Sequence, residues 1–184
     1  EQQILQGMYL CKPGAEGELR VQLLGSGSIL RESLEAQKLL ATDWGVQADV
    51  WSCPSFNQLT REGQDVERWN LLHPLEQPRV PFVARQLAGH PGPVVASTDY
   101  LKNYAEQIRP FVPKDRRYIV LGTDGFGRSD FRARLREHFE VDRHYIAVAA
   151  LKGLADAGAL PRQKVADAIR KYGIDTEKIN PLHA

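Results

Sequence analysis

The sequence predicts an α/β fold with three layers, α/β/α, in which helices cover both faces of a mostly parallel sheet of about five strands. Two observations support this class. Short apolar runs alternate with longer stretches of helical periodicity, and several runs end in turns rich in glycine, serine and aspartate. The 184 residues, 42% of them apolar and 26% charged, suffice for one domain with a sizeable core.

Four apolar runs are predicted as strands of the parallel sheet: residues 19–24, 46–53, 94–97 and 118–121. Each precedes a predicted helix, at residues 29–44, 56–72, 100–108 and 131–139 respectively. A further short helix is predicted at residues 82–88. In the second strand Val46, Ala48 and Val50 alternate, which leaves Trp51 to pack on the other face of the sheet.

Further elements are predicted at both ends of the chain. Residues 6–11 form a possible strand, paired antiparallel with residues 20–24 across the turn at 13–17. From His144 onward the pattern is helical, which predicts a helical C-terminal tail. Its predicted parts are two helices and a final turn, at residues 145–157, 162–172 and 176–179.

Capping residues are predicted from their positions beside these helices. Ser28, Asp99 and Asp130 precede helices, and their side-chain oxygens can accept hydrogen bonds from the first N–H groups. Gly45 is predicted to end the helix at 29–44. Gly63 interrupts the helix at 56–72 at a cost of about 1 kcal/mol relative to alanine, so it indicates close packing there.

Composition excludes several classes of function. A net charge of +1 supplies no long-range field toward nucleic acid or an anionic membrane. No run approaches the roughly 20 apolar residues of a membrane span.

Cys11 and Cys53 form no paired motif, so a reducing compartment, the cytoplasm, is expected. The opening EQQILQGMYL is unlike a signal peptide and lacks an initiator methionine, so we expect the edge of a longer protein.

Three turns are predicted to meet at the carboxyl edge of the sheet, where ligands and partners bind in open α/β folds. They are residues 25–28, 97–99 and 122–130. The candidate ligand or interface residues on them are Ser26, Ser28, Asp99, Thr123, Asp124, Arg128 and Ser129. Carboxylates here can act as acid and base, although capping of helices is the commoner role. The nearby arginines at 128, 132, 134 and 136 are interpreted as a solvated helix face, with an anionic partner as the alternative.

The motifs on this edge are incomplete for catalysis. Gly25-Ser26-Gly27 begins a dinucleotide fingerprint, but Leu30 stands where the third glycine belongs. Ser129 lacks the second glycine of a nucleophile elbow, since Phe131 occupies that position. The histidines show no metal-ligand spacing. We therefore predict no catalytic residue, no cofactor ligand and no metal site in this segment.

Several long strings of the sequence resemble one family, the homodimeric bacterial pyruvate dehydrogenases. They are VQLLGSGSILRE from Val21, FNQLTREGQDVERWNLLHP from Phe56, ASTDYLKNYAEQIRPFVP from Ala96, LGTDGFGRSD from Leu121 and LREHFEVD from Leu135. The strings occur in the family's order, and the resemblance covers nearly the whole chain, through VADAIRKYGID from Val165. The resemblance implies that residues 1–184 are one domain, the transketolase-like C-terminal domain of a longer enzyme.

The resemblance also implies what the intact enzyme does. Its other domains bind thiamine diphosphate and Mg²⁺, pyruvate is decarboxylated, and the two-carbon unit passes to the lipoyl group of dihydrolipoyl acetyltransferase. The expected partners are those other domains, a second copy of the enzyme and the acetyltransferase. Thr123-Asp124-Gly125, with Asn180 as the next asparagine, departs from the family's cofactor motif, so no cofactor residue is carried over.

Three hypotheses about this chain follow. The first is a structural domain that supports the dimer and is inactive alone. The second is a regulatory module that binds a small anion at the carboxyl edge. The third is a free-standing enzyme on this fold, against which the incomplete catalytic motifs count.

Overall fold

A five-stranded mixed sheet forms the centre of the computed structural model, which describes residues 2–184. The strands are β1 (Tyr9–Lys12), β2 (Arg20–Gly25), β3 (Gln47–Ser52), β4 (Val94–Ser97) and β5 (Tyr118–Leu121). Their spatial order is β1-β3-β2-β4-β5. The four later strands are mutually parallel and β1 is antiparallel to its neighbour. The predicted fold class is confirmed.

Helices cover both faces of this sheet. They are α1 (Gln2–Leu5), α2 (Leu30–Trp44), α3 (Phe56–Leu72), α4 (Phe82–Leu87), α5 (Lys102–Glu106), α6 (Arg132–His138), α7 (Arg143–Asp156) and α8 (Arg162–Lys171). Short 3₁₀ turns occupy Gly27–Ile29, Arg109–Phe111 and Pro181–His183. Helices α2, α7 and α8 pack on one face, and α3, α4 and α5 on the other. None of the helices within residues 2–184 is both long and apolar enough to cross a membrane.

Each central strand is buried on both faces, as expected for a parallel sheet that helices cover. Val21 and Leu23 of β2 enter the core beneath α2 and α7, whereas Leu24 enters the core beneath α3. In β3, Val50 and Trp51 divide between the same two cores. The predicted orientation of Trp51 is therefore confirmed.

The predicted partner of the first strand is wrong. β1 pairs antiparallel with β3, with Tyr9 opposite Ser52, and not with residues 20–24. The reason is that β2 already pairs with β3 on one side and β4 on the other, so it has no edge left. The short and partly exposed β1 takes the outer position, where an edge strand is tolerated best.

A buried carboxylate connects the chain segments at the amino ends of the parallel strands, which we call the amino edge of the sheet. Asp49, 1% exposed, accepts hydrogen bonds from Gly14 N at 2.8 Å and Arg20 Nη2 at 2.8 Å, and His90 Nδ1 lies 2.9 Å away. Burial raises the pKa of the Asp49 carboxyl, but the hydrogen bonds from Gly14, His90 and Arg20 outweigh it and hold that pKa below its ordinary value. These bonds attach the segments before β2 and β4 to β3.

Several predicted helix starts are wrong. Ser28 lies within the 3₁₀ turn Gly27–Ile29, and α2 begins after Ile29 without a side-chain cap. Of the predicted helix at 100–108 only Lys102–Glu106 forms α5, Leu101 precedes it, and a 3₁₀ turn follows at Arg109–Phe111. Asp130 bonds only the adjacent N–H of Phe131. The final turn near residue 176 is not helical, and the last 3₁₀ turn lies further on, at Pro181–His183.

Both predictions about glycines are confirmed. Gly45 follows α2 in the left-handed conformation, with φ of 66°, and its N–H bonds Leu40 O. At Gly63 an added Cβ would lie 2.5 Å from the Phe111 ring. The glycine therefore lets α3 approach the chain after α5 closely.

Substitution of Gly63 tests this contact. We expect Gly63→Ala to lower the free energy of unfolding by about 1–2 kcal/mol, because the clash with Phe111 outweighs the gain in helix propensity. Urea unfolding followed by circular dichroism measures it. Gly89→Ala is the matched control: its Cβ position has nothing within 4 Å, so stability should stay within about 0.5 kcal/mol. Equal effects at the two positions would contradict the close-packing explanation.

Candidate functional site

The carboxyl ends of the four parallel strands form a continuous edge, and hydrogen bonds hold its loops in fixed relative positions. Ser26 N donates to Ser97 O at 2.9 Å, Thr98 N donates to Leu121 O at 3.1 Å, and Cys53 N donates to Gly25 O at 2.9 Å. These bonds extend the ladder of the sheet beyond the last strand residues. The three predicted turns therefore meet at this edge, as the sequence indicated.

Asp99 holds the loop after β4 against the loop after β2. Its Oδ2 accepts a hydrogen bond from Ser28 N at 3.1 Å. An added Cβ at Gly27 would overlap the same carboxylate, and Gly27 has φ of 57°, so glycine is required there on two grounds. Asp99 thus caps the first turn after β2 and not the helix that follows it in sequence.

Asp124 repeats this arrangement one strand further along the edge. Its Oδ1 accepts a hydrogen bond from Lys102 N at 3.0 Å, and Oδ2 lies 3.9 Å from Lys102 Nζ. Asp124 therefore caps α5, and Thr123 Oγ1 donates to Asp99 O at 2.9 Å beside it. Each aspartate caps the segment that follows the neighbouring strand. The sequence prediction paired each capping residue with the next helix along the chain, so it missed this pattern.

The seven candidate residues divide among several surfaces. Ser28, Asp99, Thr123 and Arg128 line one cleft of about 360 Å³, with Arg132 and Arg136 in its wall. Ser26 lines a separate cleft of about 270 Å³ that also contains Tyr100 and Tyr104. Ser129 lines a third, of about 570 Å³, with Arg134 and His138. Asp124 lines none of these three clefts, because it faces Lys102.

Glu32 anchors the basic segment beside the first cleft. This α2 carboxylate is 3% exposed, and it accepts hydrogen bonds from Arg136 Nη1 at 2.7 Å and Arg143 Nε at 2.9 Å. Burial raises the pKa of the Glu32 carboxyl, but the hydrogen bonds and charge of Arg143, with the charge of Arg136, outweigh it and leave that pKa lowered. Arg136 therefore does not belong to a solvated helix face. Sequence analysis did not single out Glu32.

The remaining arginines of this segment stay exposed. Arg128, Arg132 and Arg134 lie in the run from residue 125 to residue 134, all of which is exposed. Within residues 2–184 the structure shows no ion pair for any of the three. For these three residues the structure agrees with the interpretation as a solvated face.

Ser129 is the serine of this edge that partly matches a nucleophile elbow. Among residues 2–184 no hydrogen bond joins the Ser129 hydroxyl to a histidine, although His138 lines the same cleft. Burial, together with the charges of Arg128 and Lys178, lowers the pKa of His138. No group of three or more His, Cys, Asp or Glu side chains in this part of the chain is placed to hold a metal ion.

Asp124 and Asn180 do not fit a magnesium site for thiamine diphosphate. Asp124 is occupied by Lys102, and Asn180 Oδ1 accepts a hydrogen bond from Leu182 N at 2.9 Å. Both side chains therefore serve local backbone structure.

Comparison with known proteins identifies the family. The profile described as transketolase-like TK C-terminal domain matches residues 7–142. The chain belongs to this family. Among curated proteins, it is 60% identical over 184 residues to the pyruvate dehydrogenase E1 component of Cupriavidus necator. The proteins of the same name from Pseudomonas aeruginosa and Escherichia coli are 59% and 55% identical.

The matched region is a small part of these relatives. The alignment with the Cupriavidus necator protein covers 99% of this chain and 20% of that protein. The chain thus spans about a fifth of the length of the curated relatives, and it corresponds to a C-terminal part of them. The resemblance to pyruvate dehydrogenases drawn from the sequence motifs is confirmed.

Solved structures support the fold. A transketolase from Campylobacter jejuni superposes with a TM-score of 0.54 at 21% identity, over 81% of this chain and 19% of that one. A split-gene transketolase, described as an inactive beta4 tetramer, superposes with a TM-score of 0.53 at 18% identity, over 82% and 43% of the two chains. At these identities the likeness concerns the fold alone.

The buried Glu32 gives a pH-dependent prediction. We expect Glu32→Gln to cost about 2 kcal/mol of unfolding free energy at neutral pH, because it weakens the bonds to both arginines. Since the folded-state pKa is lowered from 4.5, this stabilisation is present above 4.5 and is lost as the pH falls through the folded-state pKa. The difference between the two proteins should therefore shrink in acid.

Urea unfolding across a pH series measures this difference. Glu35→Gln is the control. Glu35 is partly exposed and pairs with Lys38, and its contact with Arg143 is long, at 3.9 Å, so the change in stability should be about 0.5 kcal/mol or less. A penalty for Glu32→Gln that stayed constant into strong acid would mean that shape, not charge, explains the role of Glu32.

Proposed function

We propose that this chain is the C-terminal domain of a homodimeric bacterial pyruvate dehydrogenase E1 component, and that residues 1–184 form one domain of it. The observation that carries the proposal is the identity of 60% over 184 residues to a protein of that name. Two apolar cores on opposite faces of one sheet support a single folding unit. The role of the domain is to support the dimer, and the chain is inactive alone.

For the intact protein we propose the activity that the relatives' name states. Thiamine diphosphate with Mg²⁺ supplies the carbanion chemistry that decarboxylates pyruvate, and it binds to the other domains. The two-carbon unit then passes to the lipoyl group of dihydrolipoyl acetyltransferase. The proposed partners are therefore the remaining domains, a second copy of the enzyme and the acetyltransferase.

We propose a cytoplasmic location for this protein. Neither Cys11 nor Cys53 is in a disulfide within residues 2–184. Cys53 is buried, and burial raises the pKa of its thiol, so it remains protonated and unreactive. Unpaired cysteines are the usual state in a reducing compartment.

The carboxyl edge is proposed to act as an interface edge within that enzyme. Ser26, Ser28, Asp99, Thr123, Asp124, Arg128 and Ser129 lie on its loops. The hydrogen bonds that Asp99 and Asp124 accept hold these loops in fixed positions, as a preformed contact surface requires. The proposed contribution of the edge is thus positional rather than chemical.

Binding of a small anion is the alternative, and one observation favours it. Arg128 and Arg132 line the cleft of about 360 Å³. Against it, the Asp99 carboxylate lines the same cleft, and Arg136 is engaged by Glu32. The identity to full-length relatives favours the supporting role over the binding of an anion.

The first test is a calorimetric titration of the chain with Mg²⁺–thiamine diphosphate. We expect no heat of binding, because Asp124 and Asn180 are occupied by local hydrogen bonds. The matched control is the full-length protein, which should bind the cofactor and decarboxylate pyruvate. Stoichiometric binding to the chain, or decarboxylation by it, would overturn the supporting role.

A second titration, with inorganic phosphate, separates the two functions of the edge. The supporting role predicts no saturable binding. The anion site predicts saturable binding that Arg128→Ala abolishes. The control is Arg61→Ala, at an exposed position of α3, which should leave that binding unchanged.

A further inference from the structure

Several large apolar side chains at the carboxyl edge are exposed. Tyr100, Leu101, Tyr104, Phe126 and Leu182 are 65%, 49%, 41%, 82% and 57% exposed. We call these five residues the carboxyl-edge patch. Clusters of large apolar side chains on a surface mark sites of interaction, and aromatic residues are enriched in interface cores.

The segments that carry the patch are in contact with one another. The rings of Tyr100 and Tyr104 meet edge to face, with centroids 5.6 Å apart. Thr123 N donates to Tyr100 O at 2.9 Å, which attaches the loop that carries Phe126 to the loop that carries Tyr100. On the far side of that loop, an added Cβ at Gly125 would overlap the carbonyl oxygen of Pro181. The patch therefore extends from α5 across the loop after β5 to the last 3₁₀ turn.

The first residues of the chain reach the same edge. Gly7 O accepts a hydrogen bond from Ser55 N at 3.4 Å, and an added Cβ at Gly7 would lie 2.6 Å from Ser55 O. Ser55 in turn lines the cleft that contains Tyr100 and Tyr104. Helix α1, just before Gly7, has no buried residue. The end of α1 therefore lies near the Tyr100 and Tyr104 side of the patch.

We propose that the carboxyl-edge patch is covered by the part of the same polypeptide that precedes residue 1 in the longer protein. The inference rests on the proposed function. The chain spans 20% of the Cupriavidus necator relative, so the outside portion is large enough to cover the patch. The position of α1 places that portion at the correct edge. Arg128, exposed and outside any ion pair of residues 2–184, lies on the same loop as Phe126, so the covering surface is apolar with a carboxylate at its rim.

Hydroxyl-radical footprinting of the full-length protein tests this inference. The patch residues should be labelled roughly tenfold more slowly than their exposure in the chain predicts, because an interface core excludes water. Leu75, fully exposed between α3 and α4, is the internal reference for a solvated apolar side chain. Labelling of Tyr100 and Phe126 as fast as that of Leu75 would overturn the proposal.

Dilution distinguishes the occupants of the patch. Protection that persists when sedimentation shows the full-length protein to be monomeric assigns the cover to the same polypeptide. Protection that disappears with the dimer assigns it to a second copy, which overturns the proposal. Pyruvate decarboxylation, measured on the same preparation, tests the proposed function separately, since the patch can be protected in a protein of any activity.

Paired variants provide a second measurement. Tyr100→Glu with Phe126→Glu should raise the labelling of Leu101 and Leu182 roughly tenfold in the full-length protein, because two charges cannot remain in a dry interface. Leu75→Glu is the control and should leave that labelling unchanged. No increase in the double variant would contradict the proposal, while the wild-type footprint remains informative if the variant folds poorly.

Discussion

The central position of β2 is the constraint on which the rest of this structure depends. The strand pairs in parallel with both β3 and β4, and it is buried on both faces. Parallel pairing requires a crossover after each strand, so every loop that follows a parallel strand lies at the same edge of the sheet. Because β2 offers no free edge, the antiparallel strand β1 can join only at the outside, next to β3.

The two edges of the sheet are closed in different ways. At the amino edge, the buried Asp49 collects hydrogen bonds from Gly14 and Arg20, so the charge is neutralised inside the molecule. At the carboxyl edge, Asp99 and Asp124 join exposed loops to one another and leave aromatic side chains facing outward. The amino edge is thus complete within this chain, whereas the carboxyl edge presents a surface suited to a partner.

Sequence reasoning located the strands and long helices because local periodicity determines them. It located Gly45 and Gly63 because glycine has a specific backbone or packing reason at such positions. Two of its failures concern features that depend on distant residues. The partner of β1 depends on β4, and Glu32 is buried by Arg136 and Arg143, which lie 104 and 111 residues away in the chain.

The sequence predicted where the candidate site lies better than it predicted the contacts within the site. The three loops meet at one edge, but only Ser28, Asp99, Thr123 and Arg128 share a cleft. Sequence periodicity predicts which face of a helix or strand a side chain lies on. It does not predict the loop from which an exposed carboxylate accepts a hydrogen bond. The exposure of Tyr100 and Tyr104 was missed for a related reason: the pattern that predicts a helix at 100–108 does not show which of its side chains stay uncovered.

Two crossover segments are capped by aspartates that lie on later loops of the chain. This arrangement affects the order in which the molecule assembles. The bond from Ser28 N to Asp99 spans 71 residues, and the bond from Lys102 N to Asp124 spans 22. Until β4 docks, the turn before α2 lacks its acceptor, and until β5 docks, α5 lacks its own. During synthesis each of these N–H groups is thus made before its acceptor, so we expect the loops at this edge to become ordered only as the next strand is added.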